Sequence, residues 1–161
     1  MCLGQGDAPK TSSDTLTEWQ MDSLQLNAIQ KLRAFYNCIS IMSNPDYHQE
    51  LRDEASRRAK RLFYGSDCFI DGKMANAYID SCTVLTKGIR FKIDDIVVKG
   101  DMKKIPDVLE DENYQGMLRY KLTLAKDSTS DKSAYIMLAR KKQAATPVSK
   151  EGWTVFICDI R

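Results

Sequence analysis

Apolar residues recur at helical spacing in the first part of the chain and switch to alternation in the second. Leu24, Ala28, Leu32, Phe35, Ile39 and Met42 fall three or four residues apart, with Ile29 and Tyr36 beside them. Such spacing lines one face of a long helix. The Thr15-Leu16-Thr17-Glu18 stretch fits a capping box at its start, and Asn44-Pro45-Asp46 predicts its end. Asn44 can cap a second helix, with Pro45 in the first turn. This helix is predicted from about Pro45 to Tyr64, burying Tyr47, Leu51, Ala55, Ala59, Leu62 and Phe63 before Gly65 stops it. Asp71-Gly72 reads as a turn after a short apolar stretch. A third, short helix is predicted from Met74 to Leu85.

From Ile89 the period becomes two. Ile89, Phe91 and Ile93 alternate with Arg90, Lys92 and Asp94, and the Asp94-Asp95 pair interrupts the pattern as a bulge would. Gly100 and Pro106 predict a loop ending in Glu110-Asp111-Glu112. Strands are predicted at Leu118–Leu124, Tyr135–Ala139 and Trp153–Ile160, separated by a polar loop over Asp127–Asp131 and another over Gln143–Gly152. The last two strands are apolar on both faces. Three helices followed by about four mainly antiparallel strands predict an α+β domain. A single helix layer covers one sheet face, so the other either encloses a pocket or meets another protein.

Composition narrows the setting. The 161 residues fit one domain, and 24 Lys+Arg against 22 Asp+Glu leave a charge of +2, far from a nucleic-acid binder's excess. Residues 1–13 are polar and rich in Gly, Ser and Pro, predicting a tether ahead of a single domain over 14–161. No apolar stretch is long enough for a transmembrane helix or a signal-peptide core. Cys2 near the head of a polar tether resembles the mature end of a bacterial lipoprotein, where such a cysteine carries lipid. That resemblance implies an extracytoplasmic, periplasmic or outer-membrane location. The alternative is an ordinary N-terminus that contains a cysteine. Cys38, Cys68, Cys82 and Cys158 remain: they would permit disulfides in an oxidising compartment, or serve as small buried hydrophobes, the preferred reading.

The helix–helix–short helix–strands order and the closing segment Gly152-Trp153-Thr154-Val155-Phe156-Ile157-Cys158-Asp159-Ile160 resemble the nuclear transport factor 2-like superfamily. Ketosteroid isomerase and polyketide cyclases share its cone-shaped fold. The resemblance implies helices packed on a curved sheet, with any site in the cone. Ala59-Lys60-Arg61-Leu62-Phe63, Ala77-Tyr78-Ile79-Asp80 and Asn113-Tyr114-Gln115-Gly116 are similar to segments of extracytoplasmic proteins of Bacteroidetes-type bacteria. Those proteins look like accessory parts of envelope assemblies, and a lipoprotein subunit of a type VI secretion complex would fit the size and the tether.

For chemistry in the cone, an isomerase-like member needs a carboxylate base and a hydroxyl donor. Tyr36, Phe69, Tyr78, Asp95 and Tyr120 are the candidate pocket residues, with Asp71 a further carboxylate. Strict alternation points Asp95 inward, whereas a bulge would turn it to solvent. His48 is the only histidine and its helical neighbours are polar, which argues against a His–Asp pair. No metal or cofactor is expected. Arg57, Arg58 and Arg61, with Tyr135 and Trp153, form a candidate partner surface, for another protein or a second copy. Intrahelical pairs with Glu50, Asp53 and Glu54 would occupy part of the basic cluster. The expectation is an interaction domain without catalysis; the alternative is an enzyme or binder using the cone.

Overall fold

The computed structural model describes residues 17–85, 88–105, 112–124, 128–140 and 153–161. The tether with Cys2, and the two long loops, lie outside them. Helix α1 spans Glu18–Met42, α2 Gln49–Arg61 and α3 Ala75–Thr83. Strands follow the order β1 Phe69–Ile70, β2 Lys73–Met74, β3 Phe91–Ile105, β4 Glu112–Leu124, β5 Ser128–Arg140 and β6 Trp153–Ile160. The architecture is α+β with a six-stranded mixed sheet rather than about four strands.

Helix α1 begins two residues later than its first capping frame suggests. Thr17 Oγ1 accepts from the Gln20 amide at 3.1 Å, and Gln20 Oε1 accepts from the Thr17 amide at 2.9 Å, so Gln20 supplies the reciprocal bond. Ala28, Leu32, Phe35, Ile39 and Met42 are fully buried along one stripe. Asn44 caps no helix: its side chain accepts from the Asp46 amide at 3.0 Å, forming a local turn that delays α2 to Gln49. His48 then occupies the N-cap position, exposed and without a side-chain capping bond. On α2 the buried residues are Ala55, Ser56 and Ala59, whose small size lets it lie close to α1. The last turn holds Arg58, Lys60 and Arg61, which complement the negative end of the helix dipole.

The sheet order is β2-β1-β6-β5-β4-β3. Strands β3 to β6 form an antiparallel meander, and β1 joins β6 in parallel with Ile70 opposite Ile160. Asp71 and Gly72 both have positive φ, 48° and 84°, and close the β1–β2 hairpin as a two-residue turn. Such turns twist with their strands, and glycine takes the left-handed position without penalty. Three of the four meander strands, β3 to β5, outgrow their predicted lengths. Gly100, at φ 71°, sits within β3 at a register shift between Lys99 and Lys103, so the strand passes through it to Ile105. Ser128–Asp131 pair with Leu124–Lys121 instead of forming a loop.

Leu118, Tyr120, Leu122, Ala134, Ile136, Leu138, Val155, Ile157 and Ile160 point to the helices and form one core with the stripe of α1. Phe35 stands edge-on to Tyr36 at 5.1 Å and to Phe63 at 5.2 Å. Arg52 donates to the carbonyls of Met42 at 2.9 Å and Thr83 at 2.7 Å. It satisfies the last carbonyls of α1 and α3 and holds the two helix ends together.

Candidate functional site

Two places concentrate chemistry. The first is a tyrosine cluster between the helices and the sheet. Tyr36 extends from α1 and Tyr120 from β4, and their hydroxyls meet at 2.8 Å, both residues being buried. Phe91 packs on the Tyr36 ring at 5.0 Å. Tyr78 comes from α3. Lys132, opposite Tyr120 on β5, reaches the carboxylate of Asp71 in the hairpin turn at 2.7 Å.

Burial pushes both Tyr36 and Tyr120 well above the ordinary phenol range, and the Asp71 charge pushes the same way. Burial pushes Tyr78 up to about 12, with Cys82 and Asp71 adding to it. The three phenols therefore stay neutral at physiological pH and serve as hydrogen-bond donors, not bases. Tyr36 and Tyr120 already satisfy each other. Removing one hydroxyl should leave its partner buried and unpaired, at a cost of about 1–3 kcal/mol. We expect that loss for Tyr36→Phe and for Tyr120→Phe, and a much smaller loss for the double variant, read from urea denaturation midpoints.

The raised phenols also set an alkaline limit. A group that holds its proton more tightly in the folded state contributes stability that is complete below its unfolded pKa, about 10 for tyrosine. Above that pH the unfolded chain releases the proton first and the contribution falls. Burial raises the Cys38, Cys68, Cys82 and Cys158 thiols as well, which starts the decline nearer their ordinary value of about 8.5. Urea denaturation followed against pH should show stability falling steadily from about pH 8.5 upward.

The other candidate residues lie elsewhere. Phe69, on β1, is 45% exposed. Asp95 does not turn inward: it takes φ 53° at the register shift between Asp94 and Val97, is exposed, and pairs loosely with Lys121 at 3.8 Å. The bulge re-aims the side chain, as the interrupted alternation suggested. Trp153 belongs to the helix-facing side and packs on the Tyr114 ring at 5.6 Å, which removes it from an outer partner surface. Arg57 and Arg61 are exposed and both bind Glu54, at 2.9 and 3.2 Å, and Arg58 is exposed beside them. Hydrogen bonding from Arg57 leads the lowering of the Glu54 pKa. Such solvated pairs contribute little stability. Among the described residues, no group of three or more His, Cys, Asp or Glu side chains could hold a metal ion.

The second place is the sheet face turned away from the helices. The register aligns Phe156 with Met137 and Gln115, and Tyr135 with Met117 and Lys99. Tyr64 extends the apolar strip, its ring 5.5 Å from Phe156. Arg161 lies 5.0 Å over the Tyr135 ring. Beside the strip, Asp95, Val97, Lys99, Arg119, Lys121 and Asp131 line a shallow hollow of about 400 Å³. Lys99, Lys103 and Arg119 are exposed, and among the described residues no carboxylate pairs with them. The outer face thus presents an apolar strip with a margin in which Lys99, Lys103, Arg119 and Lys121 outnumber Asp95 and Asp131. Sequence reasoning anticipated its apolar half in β5 and β6 but missed the basic margin, which arises only when β3 and β4 are placed in register.

Comparison with protein-family models, with curated proteins and with solved structures finds no match. No helix among the described residues is long and apolar enough to cross a membrane.

Proposed function

We propose that this chain is a non-catalytic protein-interaction domain that docks through the outer sheet face. The observation that carries the reading is the strip Tyr64, Phe156, Met137, Tyr135 and Met117, margined by Lys99, Lys103 and Arg119, with Arg161 over Tyr135 and paired to Asp159 at 3.7 Å. An apolar center with a charged rim is the anatomy of a protein interface. The occupant we infer is a different protein whose own apolar strip is flanked by carboxylates. Two copies pressed face to face would oppose like charges, which disfavors a homodimer through this surface.

In the fuller form of this proposal, the helices and sheet make a nuclear transport factor 2-like cone. The polar N-terminal stretch tethers it to a membrane through lipidated Cys2. The domain then serves as an extracytoplasmic part of a bacterial envelope or secretion assembly. The sequence resemblances and the composition of residues 1–13 support that setting. A second reading, a small-molecule binder or isomerase-type enzyme, is favored by the buried Tyr36–Tyr120 hydroxyl pair. A ligand site there would make both single Phe variants lose ligand, whereas a structural pair loses stability alone.

Photo-crosslinking in the native cell tests the main reading. A photoreactive residue at Tyr135 should give one discrete protein adduct, and the same residue at exposed Arg57 should give none. Adducts at Arg57 with none at Tyr135, or an adduct consisting of a second copy of the chain, would overturn it.

A further inference from the structure

Cys68 immediately precedes β1, and Cys158 lies in β6, the strand paired in parallel with β1. Strand β6 carries an extra residue here, since Ile157 to Ile160 lies opposite Ile136 to Ala134. That bulge bends β6 at Cys158, which is partly buried and packs against the same core that holds Cys68. The Cys68 thiol donates at 3.8 Å to the carbonyl of Ile157, the residue before Cys158, and Cys68 lies close enough to help raise the Cys158 thiol. Neighboring strands run about 4.7–4.9 Å apart, within the Cα separation of roughly 4.4–6.8 Å that a disulfide spans. The seam is also held by the backbone: Asp71 donates to the Ile160 carbonyl at 2.9 Å, and Tyr64 to the Ile157 carbonyl at 2.9 Å. Cys38 and Cys82 have different surroundings, Arg58 and Glu54 near the first, Tyr78 and Ser81 near the second.

We propose that Cys68 and Cys158 are a redox couple that closes into an intrachain disulfide, fastening the β1–β2 hairpin to the closing strand. The oxidant is a disulfide-bearing compound or enzyme. The half-buried Cys158 meets it first: its thiolate attacks one oxidant sulfur, forms a mixed disulfide and releases one oxidant thiol. The Cys68 thiolate then attacks the Cys158 sulfur and expels the second oxidant thiol. Two S–H bonds are lost and one S–S bond forms. The two electrons reduce the oxidant's disulfide, and the protons end on its two thiols. Burial, with Asp159 and Asp67 beside the pair adding to it, disfavors the thiolates, so closure should quicken as pH rises. The bond would hold Asp71, and with it Lys132, at the margin of the tyrosine cluster. It would also stabilize the fold by joining segments far apart in sequence.

The test incubates the full chain with oxidized glutathione, quenches with acid and maps unreduced peptides. We expect a linked Cys68–Cys158 peptide, a mass lower by two hydrogens, and a denaturation midpoint raised reversibly by oxidation. Cys158→Ser should lose both the link and the shift, whereas Cys38→Ser should keep both. Free thiols at both positions after incubation, a lasting glutathione adduct on Cys158, or a bridge to Cys38 or Cys82 would overturn the proposal.

Discussion

Phe35→Ala is expected to destabilize the domain by about 3–5 kcal/mol, a large part of the 5–15 kcal/mol that holds a typical domain folded. Phe35 is fully buried at the meeting point of α1, the end of α2 and the sheet, and its ring touches Tyr36 and Phe63 edge-on. Truncation removes both aromatic pairs and leaves a cavity that backbone on several sides prevents from closing. Because Tyr36 leans on that ring, the Tyr36–Tyr120 bond should loosen as well. Urea denaturation followed by circular dichroism reads the loss. Trp19→Ala is the control: Trp19 is 74% exposed on the same helix, and its removal should change stability by no more than about 0.5 kcal/mol.

The double charge reversal Lys99→Glu with Arg119→Glu should reduce the Tyr135 crosslink by about tenfold or more while leaving the fold intact. Both side chains are exposed on the outer face, so stability should move little. Two new carboxylates would face those inferred on the partner, and opposed like charges at an interface cost several kcal/mol. Reversal of Arg57→Glu and Arg61→Glu on α2 should leave the crosslink unchanged, since that helix face lies across the sheet from the strip. An equal loss from both pairs would point to a general electrostatic effect rather than a docking face.

How far the fold could be read from sequence depended on where its determinants lie. Helix α1 was legible because its apolar stripe is local and long. Strand β6 was legible in full, from Trp153 to Ile160, because its apolar run follows a turn-forming Gly in the sequence. Two capping frames overlap at Thr15 and Thr17, and both satisfy the same motif, so the start of α1 was ambiguous by two residues. Ser128–Asp131 reads as a loop because its side chains are polar. The ladder to β4 satisfies its backbone regardless, and Thr129 adds a hydroxyl contact to Thr123 at 3.0 Å. Asp71-Gly72 carried a hairpin signal that the shortness of the flanking strands concealed. The candidate sites divide in the same way. Tyr36 and Tyr120 could be named singly, but their hydroxyl contact joins distant segments and exists only in the fold. Asp95 shows the reverse: one extra residue in a strand inverts the side to which every later parity argument points.

Methionine oxidation footprinting tests the docking face most directly, because the chain carries its own controls. Met117 and Met137 lie on the outer strip, Met74 is 48% exposed at the opposite edge of the sheet, and Met42 is fully buried in the core. In the free chain, hydroxyl radicals should oxidize Met74, Met117 and Met137 and spare Met42. In the assembly captured through the Tyr135 crosslink position, Met117 and Met137 should become protected while Met74 keeps its rate. Unchanged oxidation of Met117 and Met137 in the assembly, with protection at Met74 instead, would contradict docking through the outer sheet face.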